Sequence, residues 1–309
     1  MDLLKIDGVE LTLNHSFNIN VGNIMNLGMC KMSVAGQFYP AKIDELRSKI
    51  EEMINFARRD NAITPEAVRA VILPHAGYDY SARTAIKGLL PIKPERVKRI
   101  VLMAPSHRHG FQGAATAAFD GFETPDGAVN CDIATIEQLI NTSDSSIHDL
   151  PQVFQGEHAL EVQLPLLRHF FGDFQLIPLI IGQNIPKITR AIALELKHLW
   201  TPETLWVASS DFTHFGRSFG YQPFNSNIGE NLRQLDLDAI ERILALDADG
   251  FEKYIQRTGA TICGHAPIEI MLRAMDSVTA ELIDYTNTGE MFNDFSHSVS
   301  YASIIFKDA

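Results

Sequence analysis

Three apolar segments of the chain are each followed by residues that can bind metals or transfer protons. The segments have the length and composition of buried strands: RAVILP (69–74), KRIVLMAP (98–105) and TLWVASS (204–210). The residues that follow them are His75, His107, His109, Asp211 and His214. Because the carboxyl ends of parallel strands share one rim of a sheet, where open α/β folds bind ligands, we expect a shared polar or metal site there.

Each of these residues also has a purely structural interpretation. His75 could bond the backbone in a turn, His107 could simply pack, and His109 has the surroundings of a solvated loop residue. Asp211 could cap a helix. Asp211 and His214 lie three residues apart, so in a helical segment they would share a face and the carboxylate could orient the imidazole by a hydrogen bond.

Cys263 is the cysteine whose position suggests chemistry. It lies in GATICGHAPIEIML (259–272), directly before a predicted helix, and a helix N-terminus stabilises a thiolate. A buried, inert thiol is the alternative. Cys30 and Cys131 have no such setting and are expected to be structural. Three widely spaced cysteines do not form a disulfide framework, which favours a reducing compartment.

The segment QGEHALEVQLP (155–165) places Glu157, His158 and Glu161 on one predicted helix face. The spacing differs from the HExxH motif of zinc proteases. Glu157 could be only an acidic residue in a first helical turn, and His158 is the candidate for function. The sequence contains no GxGxxG, GxxxxGK[ST] or GxSxG motif, which disfavours dinucleotide enzymes, P-loop NTPases and ordinary α/β-hydrolases.

Strands and helices must alternate to position these residues. Helical periodicity is found at 41–59, 132–142, 158–171 with a kink or restart at Pro165, 185–200, 231–246 and 266–276. Strand 175–182 contains Pro178, which argues for an edge or irregular position. Two late strands, 280–287 and 297–306, suggest an antiparallel addition. The alternation predicts an α/β fold with a mostly parallel sheet covered on both faces, in a single domain over 31–309. Residues 1–30 stand apart as an N-terminal arm or edge strand.

The composition is that of a globular protein. The chain has 309 residues, 46% hydrophobic and 21% charged, and a net charge of −12. These values exclude intrinsic disorder and argue against nucleic-acid and anionic-membrane partners. The N-terminus lacks the pattern of a signal peptide, and no apolar run is long enough to span a membrane. We therefore expect a soluble cytoplasmic protein.

Eight ordered motifs resemble those of the Memo (mediator of cell motility) family. They are VAGQFYP (34–40), LPHAGYDYSA (73–82), APSH (104–107), TPDG (124–127), EHALEVQLP (157–165), SSDFTHFG (209–216), TICG (261–264) and SVSYAS (298–303). The resemblance runs from about residue 31 to the end of the chain.

The resemblance implies a fold similar to that of class III extradiol dioxygenases, a three-layer α/β/α sandwich around a mixed, mostly parallel sheet. It implies that the metal ligands are His75, His107 and Cys263, and that the catalytic candidates beside them are His214, Asp211 and His158. The dioxygenases have a carboxylate where this pattern has the cysteine. Prokaryotic members are often encoded beside a radical-SAM protein and a third small protein, the AmmeMemoRadiSam arrangement. Eukaryotic members are associated with phosphotyrosine segments and with copper or iron redox chemistry.

One position departs from the family pattern. After TICG the family has Arg and then His, whereas this chain has His265 and then Ala266. The imidazole is shifted by one residue and should face another side of the loop.

The implied donors suit a divalent transition metal. Two imidazoles and a thiolate fit iron(II), copper or zinc, and the redox associations favour iron(II) or copper over zinc. We expect a metal-dependent, dioxygenase-like oxidoreductase acting on a small molecule, with His214 as proton shuttle. The alternatives are a non-enzymatic module that binds a peptide, phosphopeptide or metal in the same cleft, a zinc hydrolase, and a metal-free cysteine nucleophile.

Overall fold

The computed structural model describes residues 27–60 and 66–309, together with two short antiparallel strands, β1 (Lys5–Ile6) and β2 (Val9–Glu10). Most of the arm predicted for residues 1–30 therefore lies outside the described residues. Its described end contributes β3 (Met29–Cys30). The arm and the single domain over 31–309 stay predictions.

The first half of the chain alternates helices with strands of different lengths. The elements are α1 (Ile43–Asp60), β4 (Val68–Leu73), α2 (Tyr78–Leu89), β5 (Arg99–Pro105), β6 (Ala114–Thr116), β7 (Gly121–Thr124), β8 (Gly127–Asn130), α3 (Ile133–Asn141), β9 (Ile147–Asp149), α4 (His158–Glu161) and α5 (Gln163–Phe171). The short strands β3, β7 and β8 form a small separate sheet.

The second half completes the central sheet and its helical cover. Its elements are β10 (Gln175–Ile181), α6 (Pro186–Leu196), β11 (Thr204–Ser209), β12 (His214–Gly216), α7 (Ile228–Leu244), α8 (Ala248–Thr258), α9 (His265–Ala274), β13 (Val278–Asn287), α10 (Thr288–Phe292) and β14 (His297–Asp308).

The central sheet is mixed around a parallel core. Its strand order is β12–β14–β4–β11–β5–β10–β6–β9, with β13 also paired to β14. Strands β4, β11, β5 and β10 run parallel, whereas β14 joins β4 and β6 joins β10 in antiparallel orientation. This confirms the predicted α/β class, its mostly parallel core and the antiparallel addition by the last two strands.

Helices cover both faces of this sheet. Nearly every residue of β4, β5, β10 and β11 is buried, which requires cover on both sides. One helical layer contains α2 and α4, which pack on β4 and β5, with α1 and α5 against them. The other contains α9, which packs on β11 and β5, together with α6, α7 and α8. Within the described ranges, each helix is too short or too polar to cross a membrane.

Pro165 divides the helix predicted over residues 158–171. The structure has two helices there, α4 and α5, separated at Val162. Proline has no N–H to donate to the carbonyl four residues earlier, which is that of Glu161. The break therefore falls one turn before the proline.

Pro178 lies in an interior strand, so the predicted edge position is wrong and the predicted irregularity is right. Strand β10 pairs with β5 along its length but with β6 only at Ile180 and Ile181. Beside Pro178, the Thr116 hydroxyl donates to the proline carbonyl at 2.8 Å. Proline itself has no N–H to donate to a neighbouring strand, which fits the short pairing of β10 with β6.

Candidate metal centre

Three adjacent strands deliver the predicted site residues to one rim of the sheet. His75, His107 and Asp211 each lie two residues beyond the end of their strand, which is β4, β5 and β11 respectively. Strand β11 lies between the other two. The parallel core of the sheet therefore brings these side chains together, as the sequence predicts.

The hydrogen bonds of His75 determine which ring nitrogen is free. The Ser209 hydroxyl donates its only proton to the Ala159 carbonyl at 2.6 Å and accepts from the Gln163 amide at 2.9 Å. It must therefore accept the second contact as well, 2.9 Å from Nδ1 of His75. Nδ1 carries the proton, and the lone pair of Nε2 is free to bind a metal.

His107 is oriented in the same way by a carboxylate. Glu157 accepts from the backbone N–H of His107 at 2.7 Å and lies 2.9 Å from its Nδ1, so Nδ1 carries the proton and Nε2 is free. Glu157 also accepts from the backbone N–H of Ala159 at 3.1 Å as the N-cap of α4. A carboxylate behind a histidine is a recurring feature of metal sites, where it fixes the ring and raises its basicity.

The three histidine rings converge in the pocket. The ring of His158 lies 4.6 Å from that of His107 and 5.5 Å from that of His75. One ring nitrogen from each of the three lies within 4.8 Å of the others, so the group could hold a metal ion. Three ligands with bonds of about 2.1 Å to one ion lie about 3.4–3.6 Å from one another. The group would have to contract by roughly 1 Å for all three rings to bind one ion.

Cys263 lies against the same group. Its Sγ is 3.2 Å from Nε2 of His75, the nitrogen that is free to bind a metal. The next residue explains the approach: the N–H of Gly264 donates to Ser210 Oγ at 3.1 Å, and a Cβ at position 264 would lie 2.3 Å from Ser210 Cβ. Only glycine lets this loop pack so closely on the end of β11, and that packing places the thiol beside His75.

The environment of the thiol differs from the sequence prediction. Burial, reinforced by the charge of Asp211, raises the pKa of Cys263 well above its ordinary value. Burial thus outweighs the helix N-terminus that was expected to stabilise the thiolate. The protonated thiol can donate to Nε2 of His75, and a bound cation would be needed to favour the thiolate.

Asp211 and His214 lie side by side, but not on a helix. Residues 210–213 precede β12 without helical structure, and His214 is the first residue of that strand. Asp211 Oδ1 accepts from the backbone N–H of His75 at 2.7 Å, while Oδ2 is 3.9 Å from Nε2 of His214, too long for a hydrogen bond. The ring of His214 instead packs against Phe219 at 4.9 Å. Its buried Nε2 has no partner among the described residues.

The protonation states follow from burial. Burial and the neighbouring histidines, His107 first, lower the pKa of His75 well below its usual range, and those of His158 and His214 to about 4. Burial raises the pKa of Asp211 to about 7, against hydrogen bonds from the backbone of residues 75 and 76. At neutral pH the aspartate therefore retains a proton more readily than the histidine beside it, an inversion typical of functional sites.

Other candidate residues lie outside this group. His109 is exposed, as expected. The Nδ1 of His265 contacts the Ile262 carbonyl at 3.0 Å, and the ring lines a separate cavity of about 130 Å³ with Ala266. The shifted imidazole thus faces another side of the loop. Glu161 anchors the chain before α1: it accepts from the backbone of Ser33 and Val34 at 2.9 and 3.0 Å.

Two residues of the site have roles that the sequence did not reveal. Glu157 both caps α4 and orients His107, fifty residues away in the chain. Gln163 supports Ser209 and thereby His75, while also donating to the Pro74 carbonyl at 2.9 Å. The only signal was that both lie within the segment EHALEVQLP. The roles of Glu157 and Gln163 could be inferred only once the structure showed both side chains buried and facing the strand ends.

Comparison with known proteins identifies the family. A family model described as Memo-like protein matches residues 30–305. The chain belongs to the Memo-like protein family. The MEMO1 family protein TV1383 of Thermoplasma volcanium is 32% identical over 89% of this chain and 97% of that protein. The protein memo-1 homolog of Caenorhabditis elegans is 29% identical over 88% of this chain and 80% of that protein. The Memo resemblance seen in the motifs is confirmed.

A solved structure supports the fold of this Memo-like chain. The crystal structure of the uncharacterized protein JW3007 from Escherichia coli K12 aligns with a TM-score of 0.51, covering 77% of this chain and 99% of that one. The sequence identity is 14%, so the likeness concerns the fold alone.

Proposed function

We propose that this Memo-like protein binds a divalent transition metal through His75, His107 and Cys263 and uses it for oxidative chemistry on a small molecule. One observation carries the proposal: the free Nε2 of His75 lies in the same pocket as His107 and 3.2 Å from Sγ of Cys263. The proton on Nδ1 of each histidine is held by an acceptor behind the ring. Free imidazole nitrogens and a sulfur suit iron(II), copper and zinc, of which we favour iron(II) or copper.

The residues around these donors fit such an ion. Burial lowers the pKa of His75 and His158 and keeps these two imidazoles neutral, which is the form that binds metals. The buried, unpartnered Nε2 of His214 offers a hydrogen-bonding group next to the pocket. When bound, the metal would supply redox chemistry at its open coordination positions.

The protein's own residues would handle protons and orientation. Asp211, whose pKa burial raises to about 7, can carry a proton near neutral pH, and His214, whose pKa is lowered to about 4, is available as an acceptor. The 3.9 Å between them would close by a small movement or one water. The ring of His158 lies tilted against that of His107, with ring centres 4.6 Å apart, and borders the same space. We assign acid and base roles to Asp211 and His214 and an orienting role to His158.

Elemental analysis tests the metal, and variants test its ligands. Protein purified anaerobically without a histidine tag should contain close to one iron or copper per chain, and His107→Ala should lose it. Cobalt(II) then distinguishes the third ligand: a thiolate-to-cobalt charge-transfer band should persist in His158→Ala and vanish in Cys263→Ser. A band that persists in Cys263→Ser would exclude the cysteine as ligand. Protein that neither retains nor binds a transition metal would overturn the proposal.

Activity is a separate question with its own assay. The iron(II)-loaded protein should consume oxygen with some member of a panel of phenols and catechols in an oxygen electrode, and His214→Ala should consume it more slowly. Hydrolysis of ester or phosphoester probes by the zinc form alone, without oxygen uptake by the iron form, would favour the zinc hydrolase instead.

A cleft beside the site favours one alternative, the binding of a peptide. It has a volume of about 430 Å³ and is lined by Tyr80, Phe292, Val299 and Tyr301, among others. Val299 pairs with His214 across β12 and β14, so the cleft adjoins the site. Phe292 is 63% exposed and contacts Tyr80, which gives the cleft an aromatic wall open to solvent. A fluorescent phosphotyrosine peptide that binds the wild type but not Phe292→Ala, with no oxygen uptake in either, would establish this function.

A further inference from the structure

We propose that Asp236, a buried carboxylate on α7, is a positioning residue that sets the place of Asp211 and His214 through Thr213. The inference rests on the proposed function, in which Asp211 and His214 face the substrate. Asp236 touches neither of them and lies outside the metal centre.

Both oxygens of Asp236 are used, and one of them holds Thr213 twice. Oδ1 accepts from the backbone N–H of Thr213 at 3.1 Å and from its hydroxyl at 2.6 Å. Oδ2 accepts from the hydroxyl of Tyr285, on β13, at 2.8 Å. Asp236 and Thr213 are both fully buried, so no water competes for these bonds. Thr213 is consequently fixed between α7 and β13.

Thr213 is one link of a segment that has no secondary structure of its own. Residues 210–213 join β11 to β12, and their backbone is bonded to neighbouring elements instead. The bonds are Ser210 N–H to the Leu73 carbonyl, Phe212 N–H to the Ser300 carbonyl, Ser300 N–H to the Thr213 carbonyl, and His214 N–H to the Thr261 hydroxyl. Asp236 supplies the bond from the α7 side at Thr213, which lies between Asp211 and His214 in the chain. A shift of Thr213 would move both of its functional neighbours.

The position of Asp236 on its helix argues for such a role. The buried stripe of α7 consists of Leu232, Asp236, Ala239, Ile240 and Ile243, in which the aspartate is the polar member. Burial raises the pKa of Asp236, opposed by bonds from Ser300, Thr213 and Tyr285, so the buried carboxyl is a cost to the fold. An apolar residue would attach α7 to the sheet without that cost. Unlike an apolar residue, the carboxyl fixes the position of Thr213 by hydrogen bonds.

The experiment reads the position of His214 directly. Ring signals of His214, assigned with His214→Ala, are recorded in ¹H–¹⁵N correlation spectra of the metal-free protein. Asp236→Ala should shift them, and Asp236→Asn, which keeps one acceptor oxygen, should restore them in part. Thr213→Val removes only the hydroxyl bond and should give an intermediate shift. Asp238→Asn is the matched control on the same helix, because that carboxylate bonds Gln234 at the surface.

Metal content and turnover complete the test. Metal content should stay unchanged in the Asp236 variants, while kcat, where turnover is found, should fall about tenfold or more because a displaced catalytic group costs rate steeply. If Asp236→Ala does not fold, the His214 ring signals of Thr213→Val and Asp236→Asn decide whether the inference holds. Folded variants with His214 signals at their wild-type positions would overturn the inference. Shifted signals in a protein without any turnover would leave the inference standing and refute the proposed function instead.

Discussion

Removing the charge of Glu157 should weaken metal binding without unfolding the protein. Its carboxylate accepts from the backbone N–H and from Nδ1 of His107, at 2.7 and 2.9 Å, one bond on each oxygen. Glutamine keeps one acceptor and turns the other into an amide donor, so Glu157→Gln leaves one N–H of His107 facing a donor. A buried donor left unpaired costs about 1–3 kcal/mol. Because the metal-free ring can turn away from the donor whereas a metal-bound ring cannot, this cost falls on metal binding; at about 1.4 kcal/mol for each tenfold, it is about 5- to 150-fold in affinity.

We expect a loss of about tenfold for Glu157→Gln, at the low end because the side chain of His107 is 29% exposed and water can relieve part of the cost. Loss of a carboxylate behind a histidine ligand typically weakens metal affinity 10- to 100-fold, in line with this value. The loss of metal affinity in Glu157→Ala should approach the upper end of the calculated range, because the N–H of Ala159 also loses its acceptor.

The assay is a competition titration of the metal-free protein with cobalt(II) against a chelating indicator. Glu161→Gln is the matched control: this buried carboxylate lies four residues further on and accepts from Val34 and Tyr39 instead of a histidine. Its cobalt affinity should equal that of the wild type. Equal affinities for Glu157→Gln and the wild type, or an equal loss in Glu161→Gln, would refute the role given to Glu157.

Three further predictions concern other residues. His214→Ala should retain its metal in elemental analysis, because His214 is assigned to proton transfer; loss of metal would make it a ligand. Glu161→Ala should lower the free energy of unfolding in urea by about 3 kcal/mol, because the Val34 N–H and the Tyr39 hydroxyl lose their buried acceptor; a change near zero would contradict this. Burial raises the pKa of Asp236, so the wild type loses stability as this carboxyl loses its proton, between pH of about 4 and the pKa in the folded protein. The free energy of unfolding of Asp236→Asn, measured in urea, should therefore increase relative to that of the wild type over this pH range. A difference that does not change with pH would contradict this prediction.

The parallel core of the fold could be predicted from sequence because its strands are long and almost completely buried. Strands β4, β5, β10 and β11 have six or seven residues each and give continuous apolar runs. Strands β6 and β9 have three residues each, too few to show a period, and were not predicted. Their pairing depends on neighbours far away in the chain.

The candidate site was predictable where a residue's position depends on its own strand. His75, His107 and Asp211 follow strand ends, so the parallel sheet alone brings them together. The relation of Asp211 to His214 was predicted on helical spacing, whereas the segment has no helical structure and the hydrogen bond is absent. The spacing of Asp211 and His214 in the sequence gave no sign that bonds to other elements would determine the conformation of this segment.

The same dependence on other elements connects the proposed metal ligands to the proposed acid–base pair, Asp211 and His214. Strand β11 and the residues after it hold His75 at two points: Ser209 accepts from its Nδ1, and Asp211 accepts from its backbone N–H. The other oxygen of Asp211 faces His214, and the hydroxyl of Ser210 accepts from the N–H after Cys263. Three consecutive residues thus position His75, the thiol of Cys263 and the proposed acid–base pair. A displacement of this strand end would disturb all three together, so the site should tolerate changes in its surrounding loops better than any change that shifts residues 209–211.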